Sequence, residues 1–195
     1  ANVHDPSVAY YKGYYYMYGT DASYGNEHEG HGHFQGKRST DLVNWEWVGG
    51  PFYDPPAWVA DSLNAIRSRM GLEIIPKASI NYGYWAPVVR RVNVGGQEIL
   101  RMYYCIIIDN YIKTGKANTA ANFDGSWTER AFIGMCESTD PAGAVWTDKG
   151  FVTSSSSDRG KNYNRTSLSD WNAYFYYNAI DPAYIVTPGG KHFLI

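Results

Sequence analysis

The stretch His4-Asp5-Pro6-Ser7-Val8 near the start of the chain returns near its end as Ala179-Ile180-Asp181-Pro182-Ala183-Tyr184. In both places a glycine follows the aspartate by eight positions, Gly13 in one and Gly189 in the other. An apolar, aromatic run then follows each glycine, Tyr14-Tyr15-Tyr16-Met17-Tyr18 in the first and His192-Phe193-Leu194-Ile195 in the second. Asp-Pro, strand, glycine turn, aromatic strand is the pattern of a hairpin. Its recurrence is the pattern of a repeat fold. Equivalent units present equivalent residues, so Asp5 and Asp181 are expected as two carboxylates at matching positions.

A second repeat sets the length of the unit. Arg38-Ser39-Thr40-Asp41-Leu42-Val43-Asn44-Trp45 is echoed by Glu137-Ser138-Thr139-Asp140 with Trp146 beyond it. Ser-Thr-Asp ends a strand in a turn held by side-chain to backbone hydrogen bonds, and the tryptophan opens the next strand. The unit is therefore four antiparallel strands, the plan of a β-propeller blade. Strands are expected at 7–11, 14–19, 34–39 and 45–48, at 87–92, 99–108, 131–137 and 146–151, and at 182–186 and 192–195. One short helix is expected over Ala60–Met70. The fold class is all-β: blade one spans about 5–50, blade two about 85–151, and residues 181–195 begin blade three. A propeller has at least about four blades, so the remainder of the ring is expected outside residues 1–195, and this part alone is expected to be unstable.

Composition narrows the function. Seventeen basic and nineteen acidic residues give a net charge of −2, with no basic stripe for a nucleic acid. No run approaches the roughly 18 apolar residues of a membrane span. Aromatic residues make up 16%, with 18 Tyr and 7 Trp. They favour strands, and where exposed they offer the flat faces on which sugar rings stack. Cys105 and Cys136 both fall on expected strands, as buried thiols or a cross-strand disulfide. The long segments 20–33, 51–84, 109–130 and 152–180 all emerge, by strand count, on the face that carries Asp5 and Asp181. Long loops on a rigid scaffold commonly carry binding function. Convergent carboxylates there suit hydrolysis of a glycosidic bond.

His4-Asp5-Pro6-Ser7-Val8, Arg38 to Trp45, Tyr84-Trp85-Ala86-Pro87 and Asn178-Ala179-Ile180-Asp181-Pro182, in that order along nearly the whole chain, resemble the glycoside hydrolases of family 43. That resemblance implies a five-bladed propeller acting on arabinan, arabinoxylan or xylan. It implies that Asp5 is the general base that activates water for an inverting displacement. Asp181 is then the auxiliary carboxylate that raises the pKa of the general acid, since a like charge disfavours ionisation. The acid of the family is a glutamate from a fourth blade, expected beyond Ile195. Glu46, Glu98 and Glu137 lie on strands or turns, and Glu27, Glu29 and Glu129 match no family motif, so no acid is assigned. The Asn-Ala-Ile-Asp-Pro form points to α-1,5-arabinan ahead of xylan.

Three further residues are substrate-binding candidates: Trp85, for stacking on a sugar, Asn178, for a hydrogen bond to a sugar hydroxyl, and His4, which adjoins Asp5, for lining the site. The run Asn26-Glu27-His28-Glu29-Gly30-His31-Gly32-His33 matches no structural zinc spacing and is read as a polar loop. No metal ligand is assigned and no cofactor is required, although the resemblance allows a calcium ion in the central channel. Asn164-Arg165-Thr166 fits a glycosylation acceptor. The protein is expected to be secreted or periplasmic after removal of a signal peptide. A carbohydrate-binding propeller without the acid is the alternative function. A propeller used for protein interaction would not require the matched aspartates.

Overall fold

Two four-stranded antiparallel sheets and a hairpin follow one another along the chain in the computed structural model, which describes residues 3–21, 30–109, 111–117, 119–122, 130–155 and 178–195. The first sheet holds β1 (His4–Tyr11), β2 (Tyr14–Thr20), β3 (Lys37–Ser39) and β4 (Glu46–Trp47) in sequence order. Helix α1 (Ala57–Arg69) follows. The second sheet holds β5 (Tyr82–Val94), β6 (Gln97–Ile108), β7 (Arg130–Asp140) and β8 (Val145–Ser154). Strands β9 (Tyr184–Val186) and β10 (His192–Leu194) pair as a hairpin.

Local chemistry accounts for the turns. Lys12-Gly13 joins β1 to β2 with φ of 48° and 89°, and Gly95-Gly96 joins β5 to β6 with φ of 59° and 87°. Positive φ at both central residues is the hairpin turn whose twist matches the strands. At the same end of each sheet, Ser39 Oγ accepts the N–H groups of Asp41 and Leu42, and Asp41 Oδ1 accepts those of Val43 and Asn44. Ser138 Oγ and Asp140 Oδ1 repeat this on Asp140 and Gly143. These bonds stabilise the charged Asp41 carboxylate, the N–H and side chain of Asn44 foremost, and hold its pKa well below the usual range.

The core lies between the two sheets. Tyr11, Tyr16 and Tyr18 from the first pack with Tyr84, Leu100, Met102, Tyr104 and Phe132 from the second. Strand β3 begins at Lys37, later than the sequence predicts, because Phe34 turns the chain with a φ of 55°, and β4 holds only Glu46–Trp47. These short strands make the first sheet smaller than the second. Helix α1 supplies the missing apolar surface through Val59, Leu63 and Ile66, and begins three residues earlier than Ala60. Trp58 packs edge-on against Phe132 and Phe151 and donates its indole N–H to Asp148. Arg67, 1% exposed, donates to the carbonyls of Glu73, Ile112 and Lys113 and ties the helix to the loop after β6. A second cluster of Val88, Val92, Ile99 and Tyr184 joins the second sheet to the hairpin.

Cys105 and Cys136 are buried free thiols. Cys136 pairs across the ladder with Met102, three residues from Cys105. An odd offset places the two side chains on opposite sheet faces, so the cross-strand disulfide does not form. Burial raises both thiol pKa values, aided at Cys105 by the charge of Asp181 and at Cys136 by Asp148 and Glu137.

Candidate active site

Each of the three hairpins that begin a sheet starts with the same backbone device. Asp5, Ala86 and Asp181 each precede a proline, and each has a positive φ, of 49°, 37° and 52° respectively. Proline disfavours the right-handed helical region for the residue before it. The ladder also slips between His4 and Ser7 and between Trp85 and Val88. Such bulges re-aim a side chain next to a functional site. The three X-Pro pairs meet around one cavity of about 350 Å³, which Ser7, Val88, Arg90 and Ala183 complete. Asp5 and Asp181 thus share a single cavity, as their matching sequence positions predict. Both are solvent-exposed.

Blades one and two are tied together at this point. Thr20 Oγ1 donates to Asp5 Oδ2 at 2.5 Å and accepts the N–H of Ala86 at 2.8 Å. Ser7 Oγ accepts the N–H of Val89 at 2.9 Å. Arg90 bonds the carbonyl of Val89 at 2.8 Å and brings positive charge to the cavity wall.

The other sequence candidates stand apart from this cavity. His4 is exposed on β1 opposite Thr20, and Trp85 is 39% exposed on β5 opposite Cys105; neither is among the lining residues. Asn178 Oδ1 accepts the hydroxyl of Ser155 at 2.7 Å, and that hydroxyl oxygen accepts the N–H groups of Ala131 and Ala179. Asn178 therefore anchors the approach to the third hairpin. Glu46 pairs with Arg38, Glu98 with Arg91, and Glu137 with Arg101 and Lys149, and none of the three lines the cavity. Glu27, Glu29, Glu129, His28 and the run 164–166 lie outside the described residues.

The two described histidines of the polar run serve packing. His31 stacks on Trp47, and His33 stacks on Tyr84 at 3.6 Å while its Nδ1 meets Asp21 at 2.7 Å in a fully buried pair. Among the described residues no three His, Cys, Asp or Glu side chains are grouped to hold a metal ion. With Arg90 on the cavity wall, this part of the site does not fit a calcium ion. Sequence reasoning passed over Thr20 and Arg90. Each is an ordinary strand residue in one dimension; pairing across the ladder puts Thr20 beside Asp5, and packing of the hairpins puts Arg90 on the cavity wall.

The fold matches solved structures over the whole chain. Against the α-L-arabinanase of Cellvibrio cellulosa the TM-score is 0.52 at 20% identity, covering 100% of this chain and 44% of that one. The family 43 glycoside hydrolase YxiA of Bacillus licheniformis gives 0.52 at 19%, covering 100% and 34%. The endo-1,5-α-L-arabinanase of Thermotoga petrophila gives 0.50 at 21%, covering 100% and 35%. The chain thus spans less than half the length of each of these proteins. No protein-family model and no curated protein sequence matches it. The fold is that of the family 43 glycoside hydrolases, with the sheets as propeller blades.

Proposed function

We propose that this chain is part of an inverting glycoside hydrolase that cleaves pentose-containing polysaccharide of plant cell walls, α-1,5-arabinan ahead of arabinoxylan or xylan. The observation that carries the reading is the convergence of Asp5 and Asp181 on one cavity from equivalent pre-proline positions of positive φ. Arabinanases among the proteins of like fold support the substrate.

In this reading Asp5 takes a proton from a water molecule. The water oxygen bonds to the anomeric carbon as the glycosidic C–O bond on the opposite face breaks. A glutamate from outside the described residues gives its proton to the departing oxygen. The expected separation of base and acid is roughly 6.5–9.5 Å, which admits the water. Asp181 keeps the acid protonated near neutral pH by like-charge repulsion. The rest of the propeller is needed to supply the acid and close the ring. A polymeric substrate lies outside cells, so the protein is proposed to act there, secreted or periplasmic. A calcium ion in the central channel would draw its ligands from outside the described residues, and no step above runs through it.

The test is product release from linear arabinan and xylan by the intact protein, with the anomer of the first product read by NMR. Asp5→Asn should lower turnover by roughly 10²–10⁴-fold, the contribution of a general base. Unchanged turnover would remove Asp5 from that role. A second reading is a carbohydrate-binding propeller that keeps the cavity but lacks the acid. Tight binding of arabino-oligosaccharides with no product would establish it.

A further inference from the structure

Thr20 closes β2 directly across the ladder from His4, one residue from the base. A hydroxyl has a single proton to give, and the backbone nitrogen of Ala86 can only donate. Both bonds therefore have a fixed direction: Ala86 N–H to Thr20, and Thr20 O–H to Asp5.

The next blade offers an internal comparison. Cys105 stands opposite Trp85 as Thr20 stands opposite His4. Asp181, the pre-proline residue of the next hairpin, stands beside Cys105 as Ala86 stands beside Thr20. Each side chain is thus a latch at the pre-proline residue of the following hairpin. The latches differ in where the proton points. Cys105 turns its S–H to the carbonyl of Ala179 at 3.3 Å, and its own blade carries Ala86 where blade one carries Asp5. A thiol is a weak donor and serves where there is no carboxylate to hold. The strong donor stands where the carboxylate is.

We propose that Thr20 is a positioning residue for Asp5: its hydroxyl fixes Oδ2 against the start of blade two and so presents Oδ1 to the attacking water. This rests on the reading of Asp5 as the base. A carboxylate bound through one oxygen loses its rotation about the Cβ–Cγ bond, and the blade junction then sets where the base points. Misplacement of a reacting group by about 1 Å can cost on the order of 10²-fold in rate.

The experiment compares Thr20→Val, Thr20→Ser and Asp5→Asn in the intact protein, with kcat, KM and melting temperature on arabinan. The expected result is a kcat lower by about 10- to 100-fold in Thr20→Val, with KM within about 3-fold, and recovery to within about 3-fold of the parent in Thr20→Ser. If Thr20→Val does not fold, Thr20→Ala takes its place, since a smaller side chain lets water reach the Ala86 N–H. A folded valine or alanine variant that keeps its kcat while Asp5→Asn loses it would overturn the proposal and leave the base reading intact. Equal losses in the serine and valine variants would also overturn it. If Asp5→Asn keeps its turnover, the base reading itself fails.

Discussion

Asp5 and Asp181 stand at the same backbone position of the first and third hairpin starts, with φ of 49° and 52°, and face one cavity. A non-glycine residue at positive φ is uncommon, and aspartate is among those that tolerate it best. In the first and third hairpins the strained residue is thus an aspartate that lines the cavity.

The two aspartates should separate by pH profile. Asp181→Asn removes the like charge that keeps the general acid protonated, so the acid ionises at lower pH. The descending, alkaline limb of kcat/KM should move toward lower pH, with the ascending limb in place. Asp5→Asn should instead lower the whole profile. A pH series on arabinan checks this, and an unmoved alkaline limb in Asp181→Asn removes that residue from its role.

Stability should fall in alkali. Burial raises the pKa of Cys105, Cys136, Tyr18, Tyr84 and Tyr104. The folded chain keeps these protons while the unfolded chain releases them, so the stabilisation is full below the unfolded pKa values and is lost as pH rises through the folded ones. The loss should begin near the unfolded thiol value of about 8.5 and steepen near the unfolded tyrosine value of about 10, by up to about 1.4 kcal/mol per pH unit for each group. Urea melts at several pH values above neutrality provide the measurement. Both thiols should also resist iodoacetamide until urea unfolds the chain.

Arg67→Met should destabilise by about 2–4 kcal/mol, because the buried carbonyls of Glu73, Ile112 and Lys113 lose a charged donor. Equilibrium urea unfolding reads this directly. A change below about 0.5 kcal/mol would be the size of an ordinary surface substitution and would contradict the tie between α1 and the loop.

Gly134→Ala tests the packing of α1 on the second sheet. An added Cβ there would meet the Tyr104 ring first and the Trp58 ring at 2.6 Å, and overpacking of this kind costs about 1–3 kcal/mol. The Trp58 indole would have to leave Asp148, so a lower melting temperature should come with a shift in tryptophan emission.

Much of the architecture was legible because it is repeated. Asp-Pro with its glycine turn, and Ser-Thr-Asp with its tryptophan, are local signals, and their turn chemistry is made by residues within a few positions of one another. The start of β3 was less legible, since a positive φ at Phe34 has no marker in the residue type. Trp85, Asn178 and His4 adjoin the motifs in sequence, yet strand alternation and the Ser155 bond leave them outside the cavity lining.

The sequence by itself determined the order of the strands, the type of their turns, and the equivalence of Asp5 and Asp181, since period and turn chemistry act over short range. Only the tertiary structure decided what surrounds those carboxylates. Thr20 reaching across to Ala86, Cys105 reaching Ala179, and Arg90 on the cavity wall are contacts made at bulges and between blades. They depend on how two sheets twist and pack against one another, and a linear pattern does not encode that geometry one residue at a time.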